Sequence, residues 1–263
     1  MNVQVLIATM NRQDHALLDQ MNIQTDAIVG NQCDRNEIER FQYRGRIVEW
    51  LSFSERGVGL NRNNTLMRAT GDILLFADDD VVYLDGYEKT IQQFYAAHPD
   101  ADVVIFNFRK RRNGGEFRNI VKKTGRVGRK SVTGFGTYCI TARRDPLFFA
   151  NVFFHLQFGG GARYSCGEDS IFLQDCIRNK LRVYTCKETI GVLDHGASTW
   201  FSGYDDKFFF DKGVLFFRIA PFTSRILALY HCRKHRREYA AYGWVRAYRQ
   251  MCKGITFKKG NQR

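Results

Sequence analysis

Two groups of carboxylates in this 263-residue chain are placed where chemistry is done. The apolar run Ile73-Leu74-Leu75-Phe76-Ala77 ends in Asp78, Asp79 and Asp80. A buried strand of that kind delivers its carboxyl end to the crevice of an open α/β sheet, where ligands bind. Three adjacent acids repel one another. A hard divalent cation such as Mg²⁺ or Mn²⁺ relieves the repulsion and still leaves coordination sites for phosphate oxygens. The plainer reading is an acidic turn after a strand. The second group is Gly167-Glu168-Asp169, which opens an apolar helix at residues 170–178 and so sets two carboxylates at its positive end. Just before it, Gly159-Gly160-Gly161 allow a flexible loop or a close approach of backbone to ligand. Here the plainer reading is that Asp169 or Ser170 caps the helix.

The elements that must hold these groups alternate. Val3-Gln4-Val5-Leu6-Ile7-Ala8, Ala27-Ile28-Val29-Gly30, Arg46-Ile47-Val48-Glu49-Trp50, residues 73–77 and Asp102-Val103-Val104-Ile105-Phe106 read as strands. Between them, residues 13–20, 58–69 and 86–97 read as helices, the last with Ile91, Phe94 and Tyr95 on one face and Pro99 just beyond its end. Strands separated by helices imply an α/β fold with a mainly parallel central sheet and right-handed crossovers. Residues 109–130, rich in Arg, Lys, Gly and Asn, read as a mobile basic loop or hairpin.

Length and a 44% hydrophobic content suit one large core, or one core with a small appendage. No stretch is apolar for long enough to span a bilayer, and the N-terminus begins with a strand, not a secretory signal, so a cytosolic location is expected. Seven cysteines without a C-x-x-C pair read as reduced, mostly buried thiols. The net charge of +13 is uneven: residues 203–263 hold fourteen Lys/Arg against four Asp/Glu, which is +10 of the total. Basic groups alternate there with Phe208, Phe209, Phe210, Val214, Leu215, Phe216, Phe217, Ile226, Tyr230, Tyr242, Trp244 and Tyr248. Such a mixture fits helices on an anionic membrane surface, or two helices docked on the body with an ordinary basic face. Nucleic acid is not an expected partner, because no recognition motif accompanies the charge. The division read from composition is a body at 1–202 and a basic, aromatic helical extension at 203–263.

In combination, Thr9-Met10-Asn11-Arg12, Arg56-Gly57-Val58-Gly59-Leu60-Asn61-Arg62-Asn63, Asp78-Asp79-Asp80 and Gly167-Glu168-Asp169 resemble, in order and spacing, the successive motifs of family 2 glycosyltransferases with the GT-A fold. The Phe158-Gly159-Gly160-Gly161-Ala162 run and Ser198-Thr199-Trp200-Phe201 further resemble bacterial enzymes that build capsular and other surface polysaccharides. The resemblance implies a Rossmann-like nucleotide-diphospho-sugar transferase domain over 1–202. It implies an inverting, metal-dependent transfer from a nucleotide-sugar, a UDP-hexose or UDP-N-acetylhexosamine, to a saccharide hydroxyl. Asp80 becomes the main ligand of Mn²⁺ or Mg²⁺, Asp78 lies near the ribose, and Asp79 meets the donor sugar or metal-bound water. Thr9, Arg62 and Asn63 line the donor site. Asn31 stands where family members often carry an Asp facing the uracil, and an amide can still donate to and accept from a pyrimidine edge.

The same resemblance makes Asp169 the general base, with Glu168 beside it, and sets Gly160 and Gly161 on the acceptor side. His195 either completes the metal site or is a surface histidine. Trp200 and Phe201 either pack on an acceptor sugar or close the core. The implied acceptor is lipid-linked, on a polyprenyl diphosphate, and the extension would hold the enzyme at the inner membrane face where that acceptor resides. The Arg109-Lys110-Arg111-Arg112 cluster reads as a solvated face, though its charge would also suit a diphosphate-bearing acceptor. Two other readings are a sugar-phosphate nucleotidyltransferase and a non-catalytic basic binding module. The first usually carries a Gly-rich, Lys-containing first loop, which Ala8-Thr9-Met10-Asn11-Arg12 lacks. The second leaves two separate carboxylate motifs unexplained.

Overall fold

A computed structural model describes residues 1–111, 117–128, 132, 134–193 and 203–260. Asp194, His195, Trp200 and Phe201, and Arg112 of the basic cluster, lie outside the described residues. The first half runs β1 (Val3–Met10), α1 (Leu17–Gln20), β2 (Asp26–Gln32), β3 (Glu37–Tyr43), β4 (Arg46–Phe53), α2 (Val58–Arg68) and β5 (Ile73–Asp78). Then follow β6 (Val82–Tyr83), α3 (Tyr87–Ala97), β7 (Val103–Arg111), β8 (Phe117–Asn119) and β9 (Gly125–Arg126). A 3-10 turn at Thr137–Cys139 leads into β10 (Ile140–Arg143), α4 (Arg144–Phe149), α5 (Glu168–Arg178) and β11 (Val183–Leu193).

One mixed sheet has the order β3-β4-β2-β1-β5-β10-β7-β11-β6, with β8 added to β7 and β9 to β11. The centre, β4-β2-β1-β5, is parallel, and β1 and β5 in its middle are almost wholly buried along their length, as central strands of such a sheet are. Strands β3, β6, β10 and β11 are absent from the sequence reading, and two of them alter the sheet most. Strand β3 alternates polar residues with Ile38 and Phe41 and lacks an apolar run, yet it closes the sheet edge as a hairpin with β4. Its turn places Arg44 and Gly45 at positive φ (49° and 76°), the geometry that matches strand twist in a two-residue hairpin. Strand β10 is short and runs antiparallel between β5 and β7, so the sheet is parallel only in part. The described parts of the basic segment are paired strands: Arg109, Lys110 and Arg111 at the end of β7 lie antiparallel to Asn119, Arg118 and Phe117 of β8.

Packing beneath the sheet's carboxyl ends fixes the two acidic motifs relative to each other. Phe76 of β5 meets Phe154 and Phe172 edge-on at 5.2 and 5.4 Å, and those two stack at 4.3 Å. Such pairs contribute about 0.5–1.5 kcal/mol each beyond burial. They lock α5, which carries Phe172, against the strand that ends in Asp78.

The extension forms three helices, α6 (Asp206–Ile219), α7 (Ser224–Lys234) and α8 (Trp244–Gly260), where two were expected. Asp205 caps α6 by accepting the Phe208 amide at 2.7 Å. Helices α6 and α8 cross closely at glycines: a Cβ on Gly213 would stand 2.0 Å from the Met251 carbonyl oxygen, and one on Gly254 2.1 Å from that of Phe210. Phe209, Val214, Leu215, Phe216 and Phe217 are buried in a cluster shared with Phe158, Tyr164 and Ile171 of the body. The aromatic residues read from composition as a membrane face are therefore mostly the glue that docks the extension. Among the described residues no helix is long and apolar enough to cross a membrane. All seven cysteines are free, five of them buried.

Candidate active site

Parallel pairing sets Ala8 of β1 beside Asp78 of β5, which brings the loop after β1 to the acids. Thr9 Oγ1 donates to Asp79 Oδ2 at 2.6 Å, and Arg12 clamps the pair, donating to the same Asp79 oxygen at 3.1 Å and to Thr9 Oγ1 at 3.2 Å. Asn31, opposite Thr9 on β2, is fully buried. Its carbonyl accepts the Arg12 amide at 3.0 Å, and its NH₂ donates to the Arg12 carbonyl at 3.0 Å and to Ser52 Oγ at 3.1 Å. The amide assigned by resemblance to a base edge is engaged on all sides in shaping the first loop.

Arg62 of α2 is buried and joins the two acidic motifs. One guanidinium nitrogen donates to Asp78 Oδ1 and the other to Glu168 Oε1, the latter at 2.9 Å. Its Cζ lies 5.4 Å from the centre of the Phe154 ring. Burial works against the charge, but Asp78 and Glu168 outweigh it and raise the Arg62 pKa. Neighbouring Asn63 faces elsewhere: it donates to the Phe154 carbonyl at 2.9 Å and accepts the Phe154 amide at 2.8 Å. That reciprocal pair fixes the chain leading to the glycine loop and engages Asn63 away from the donor side.

At the start of α5, Gly167 has φ 108°, a conformation that glycine adopts without strain and that opens the helix at Glu168 and Asp169. Asp169 is half-buried, and its Oδ1 accepts the Ser170 amide at 2.5 Å. Burial first, and then the charge of Glu168, push its carboxyl up to about 7, against the opposing pull of Arg62 and Lys212. A carboxylate tuned to that range is suited to accept a proton at neutral pH. The Thr137–Cys139 turn lies among the same acids. Burial, followed by Cys139 and then by the charges of Asp78, Asp80 and Asp169, raises the Tyr138 hydroxyl. Cys139 is raised likewise, by burial and then by Asp169.

The glycine loop sits against this assembly. Gly160 accepts the Val58 amide at 2.9 Å, tying the loop to the start of α2. A Cβ on Gly159 would stand 2.5 Å from Val58 Cγ1 and 2.8 Å from Glu168 Cδ, so the backbone approaches the Glu168 carboxylate as only glycine permits. Gly161, at φ 75°, turns at the exposed tip.

Two of the three acids after β5 are offset by arginines in this geometry. Asp78 is paired with Arg62 and Asp79 with Arg12, and no group of three metal-ligating side chains is assembled among the described residues. What is present fits an ion that takes most of its shell from a diphosphate and one or two carboxylates from the protein, as Mg²⁺ does. Asp80 follows Asp78 and Asp79 directly at the end of β5; His195 is outside the described residues.

Sequence reasoning missed Arg12, Tyr138 and Lys212. Arg12 stood inside a quoted motif, but nothing in spacing tells that it would turn back on Asp79. Tyr138 and Lys212 come from a glycine-punctuated loop and from the extension, and only the fold brings them near the acids.

A sheet with a parallel centre, acids at the carboxyl end of β5 and a second acidic pair opening a helix define a nucleotide-sugar transferase fold. The glycosyl transferase family 2 model matches residues 16–160, more than half of the chain. The chain belongs to glycosyl transferase family 2. Among solved structures it is similar to S. aureus TarS 1-349 in complex with UDP-GlcNAc, with 18% identity and a TM-score of 0.61, over 83% of this chain and 66% of that one. It is similar also to TarS 1-349 in complex with UDP, with 16% identity and a TM-score of 0.57, over 83% and 65%. Against the longer TarS structure the identity is 15% and the TM-score 0.59, over 89% of this chain and 44% of that one. This chain thus spans somewhat under two thirds of the TarS 1-349 chains. No curated protein matches it.

Proposed function

We propose that this glycosyltransferase moves a sugar from a UDP-sugar, a UDP-hexose or UDP-N-acetylhexosamine, to a hydroxyl of a saccharide acceptor, with inversion at the anomeric carbon. One observation carries the reading: buried Arg62 bridges Asp78 and Glu168, and next to Glu168 stands Asp169 with its carboxyl raised to about 7. A donor site and a base are thereby held on one rigid frame. The UDP and UDP-GlcNAc seen with TarS support the donor class.

In this reading the acceptor oxygen attacks the anomeric carbon, the bond from that carbon to the diphosphate oxygen breaks, and its electron pair leaves with UDP. Asp169 takes the acceptor proton, a role worth about 10²–10⁴ in rate. Glu168 and Arg62 hold Asp169 and Asp78 in register, so that alignment also lowers the barrier. Thr9, Asp78 and Asp79 line the donor side, while Asn31 and Asn63 act on it through the loops they brace. Gly160 and Gly161 border the acceptor, with Trp200 the candidate to pack on its sugar. A divalent ion, Mn²⁺ or Mg²⁺, would be held by Asp80, with His195 the second candidate, and supplies positive charge to the departing diphosphate. The acceptor is a lipid-linked saccharide on a polyprenyl diphosphate, extended at the cytoplasmic membrane face during surface polysaccharide assembly, with 1–202 as the catalytic unit and 203–263 as its acceptor- and membrane-facing extension.

The test is calorimetric titration of UDP with and without Mn²⁺. Binding is expected to need the metal, to vanish with chelator, and to be lost in Asp80→Ala. Failure of UDP, GDP and dTDP alike to bind with either metal would overturn the reading.

A further inference from the structure

Helix α7 is built inside out. Its buried face, Ser224, Ala228 and Cys232, consists of small side chains, and Cys232 reaches Met251 of α8 at 3.8 Å. Its solvent face carries large apolar ones. Ile226 and Tyr230 are 69% and 61% exposed, and Phe222, in the turn just before the helix, is fully exposed. Spacing of four residues sets Ile226 and Tyr230 on one face of the helix, and exposed Phe222 stands in the turn that leads into it. A soluble helix normally presents the opposite pattern, so a contiguous apolar stripe on the outside marks a contact surface.

The charge around the stripe selects the occupant. Arg225 flanks it, Arg233 and Lys234 end it, and exposed Arg236 and Arg237 follow. From residue 212 to the end, Glu238 is the one acidic residue. A second copy of the chain would have to set this cationic rim against itself, because a two-fold contact pairs a patch with its own image. An anionic phospholipid surface neutralises the rim and takes the apolar stripe into the headgroup boundary.

We infer that the face formed by Phe222, Ile226 and Tyr230, rimmed by Arg225, Arg233 and Lys234, docks the protein on an anionic phospholipid membrane. The dock is coupled to the site. Helix α6 packs Leu215 where a Cβ on Gly167 would meet it at 2.5 Å, and Asp211 of α6 accepts the Ser165 amide at 3.0 Å. The helical unit that lies on the membrane thus also holds the loop preceding Glu168 and Asp169. The lipid contact stands on the helix face alone; its purpose, bringing that loop to a lipid-borne acceptor, rests on the proposed function.

The test is co-sedimentation of the full chain with vesicles of phosphatidylcholine and of phosphatidylcholine mixed with phosphatidylglycerol, beside light scattering of the protein alone. The chain should bind the anionic vesicles, less at high salt, and not the neutral ones. Phe222→Ser with Ile226→Ser should weaken partitioning at least about tenfold, since two exposed side chains lose their apolar burial. Arg233→Glu with Lys234→Glu should weaken it at least about twenty-fold, each lost contact being worth about fivefold. All four residues are exposed, so the variants should melt as the wild type does. Equal binding to neutral vesicles, wild-type binding by either variant, or a dimer that the apolar variant dissociates would overturn the inference. UDP titration of the same variants separates this outcome from a failure of the proposed function, because it should be unchanged.

Discussion

Replacing Arg62 by Met removes the cation that, among the described residues, joins the two acidic motifs. Its side chain is 5% exposed, and its partners Asp78 and Glu168 are 30% and 14% exposed. Taking one member from a buried ion pair leaves uncompensated charge and typically costs about 3–5 kcal/mol. Arg12, paired with Asp79, is the internal control, because both side chains of that ion pair are about one third exposed and such pairs contribute about 0–1 kcal/mol. Urea unfolding should therefore show a loss in Arg62→Met several times that in Arg12→Met. Arg62→Lys should fall between, since an ammonium keeps the charge but lacks the planar fork that reaches both carboxylates. Combining Arg62→Met with Asp78→Asn and Glu168→Gln should restore most of the loss, because the stranded carboxylates are then gone. Equal losses in the two methionine variants, or no recovery in the triple variant, would refute the bridge as the organiser of the site.

Asp169, pushed up to about 7, must be deprotonated to act, so kcat/KM should fall as pH drops below 7. Asp169→Asn should lower turnover by about 10²–10⁴ and remove that limb of the profile. Stability carries the opposite sign: the folded pKa exceeds the ordinary value of about 4, so the charged form is disfavoured in the fold. Asp169→Asn should therefore be more stable than wild type at pH 8, with the gain vanishing as pH falls towards 4 in thermal melts. Asn63→Ala strands the buried backbone of Phe154 and should cost about 1–3 kcal/mol in urea unfolding. Gly213→Ala forces a Cβ onto the Met251 carbonyl and should cost about 1–3 kcal/mol, whereas Gly128→Ala, with open space around it, should be near neutral.

Periodicity made the parallel centre legible, because strands covered on both faces must be apolar throughout. Strand β3 escaped notice for the converse reason: as an edge, it can be polar at most positions. Strand β10 spans four residues, Ile140–Arg143, too few for a pattern to declare itself. At the site, Asp78, Asp79, Asp80, Glu168 and Asp169 were legible as element ends. Their joining was not, since Arg62 and Glu168 are 106 residues apart in sequence. Asn31 and Asn63 show the limit of residue type alone: both amides suit a ligand, and both are engaged by backbone. The extension misled in a different way. Composition shows that aromatic and basic residues coincide, but only packing reveals that Phe209 and Phe217 face inward while Phe222, Ile226 and Tyr230 face out.

The most direct test of the central claim is release of UDP from UDP-GlcNAc, followed by mass spectrometry with Mn²⁺ present, for wild type and Asp169→Asn. With water as the stand-in acceptor, wild type should release UDP slowly, and Asp169→Asn should release far less while binding UDP as tightly. A UDP-sugar that stays intact through the UDP-hexose and UDP-N-acetylhexosamine series, or equal release by Asp169→Asn, would contradict it.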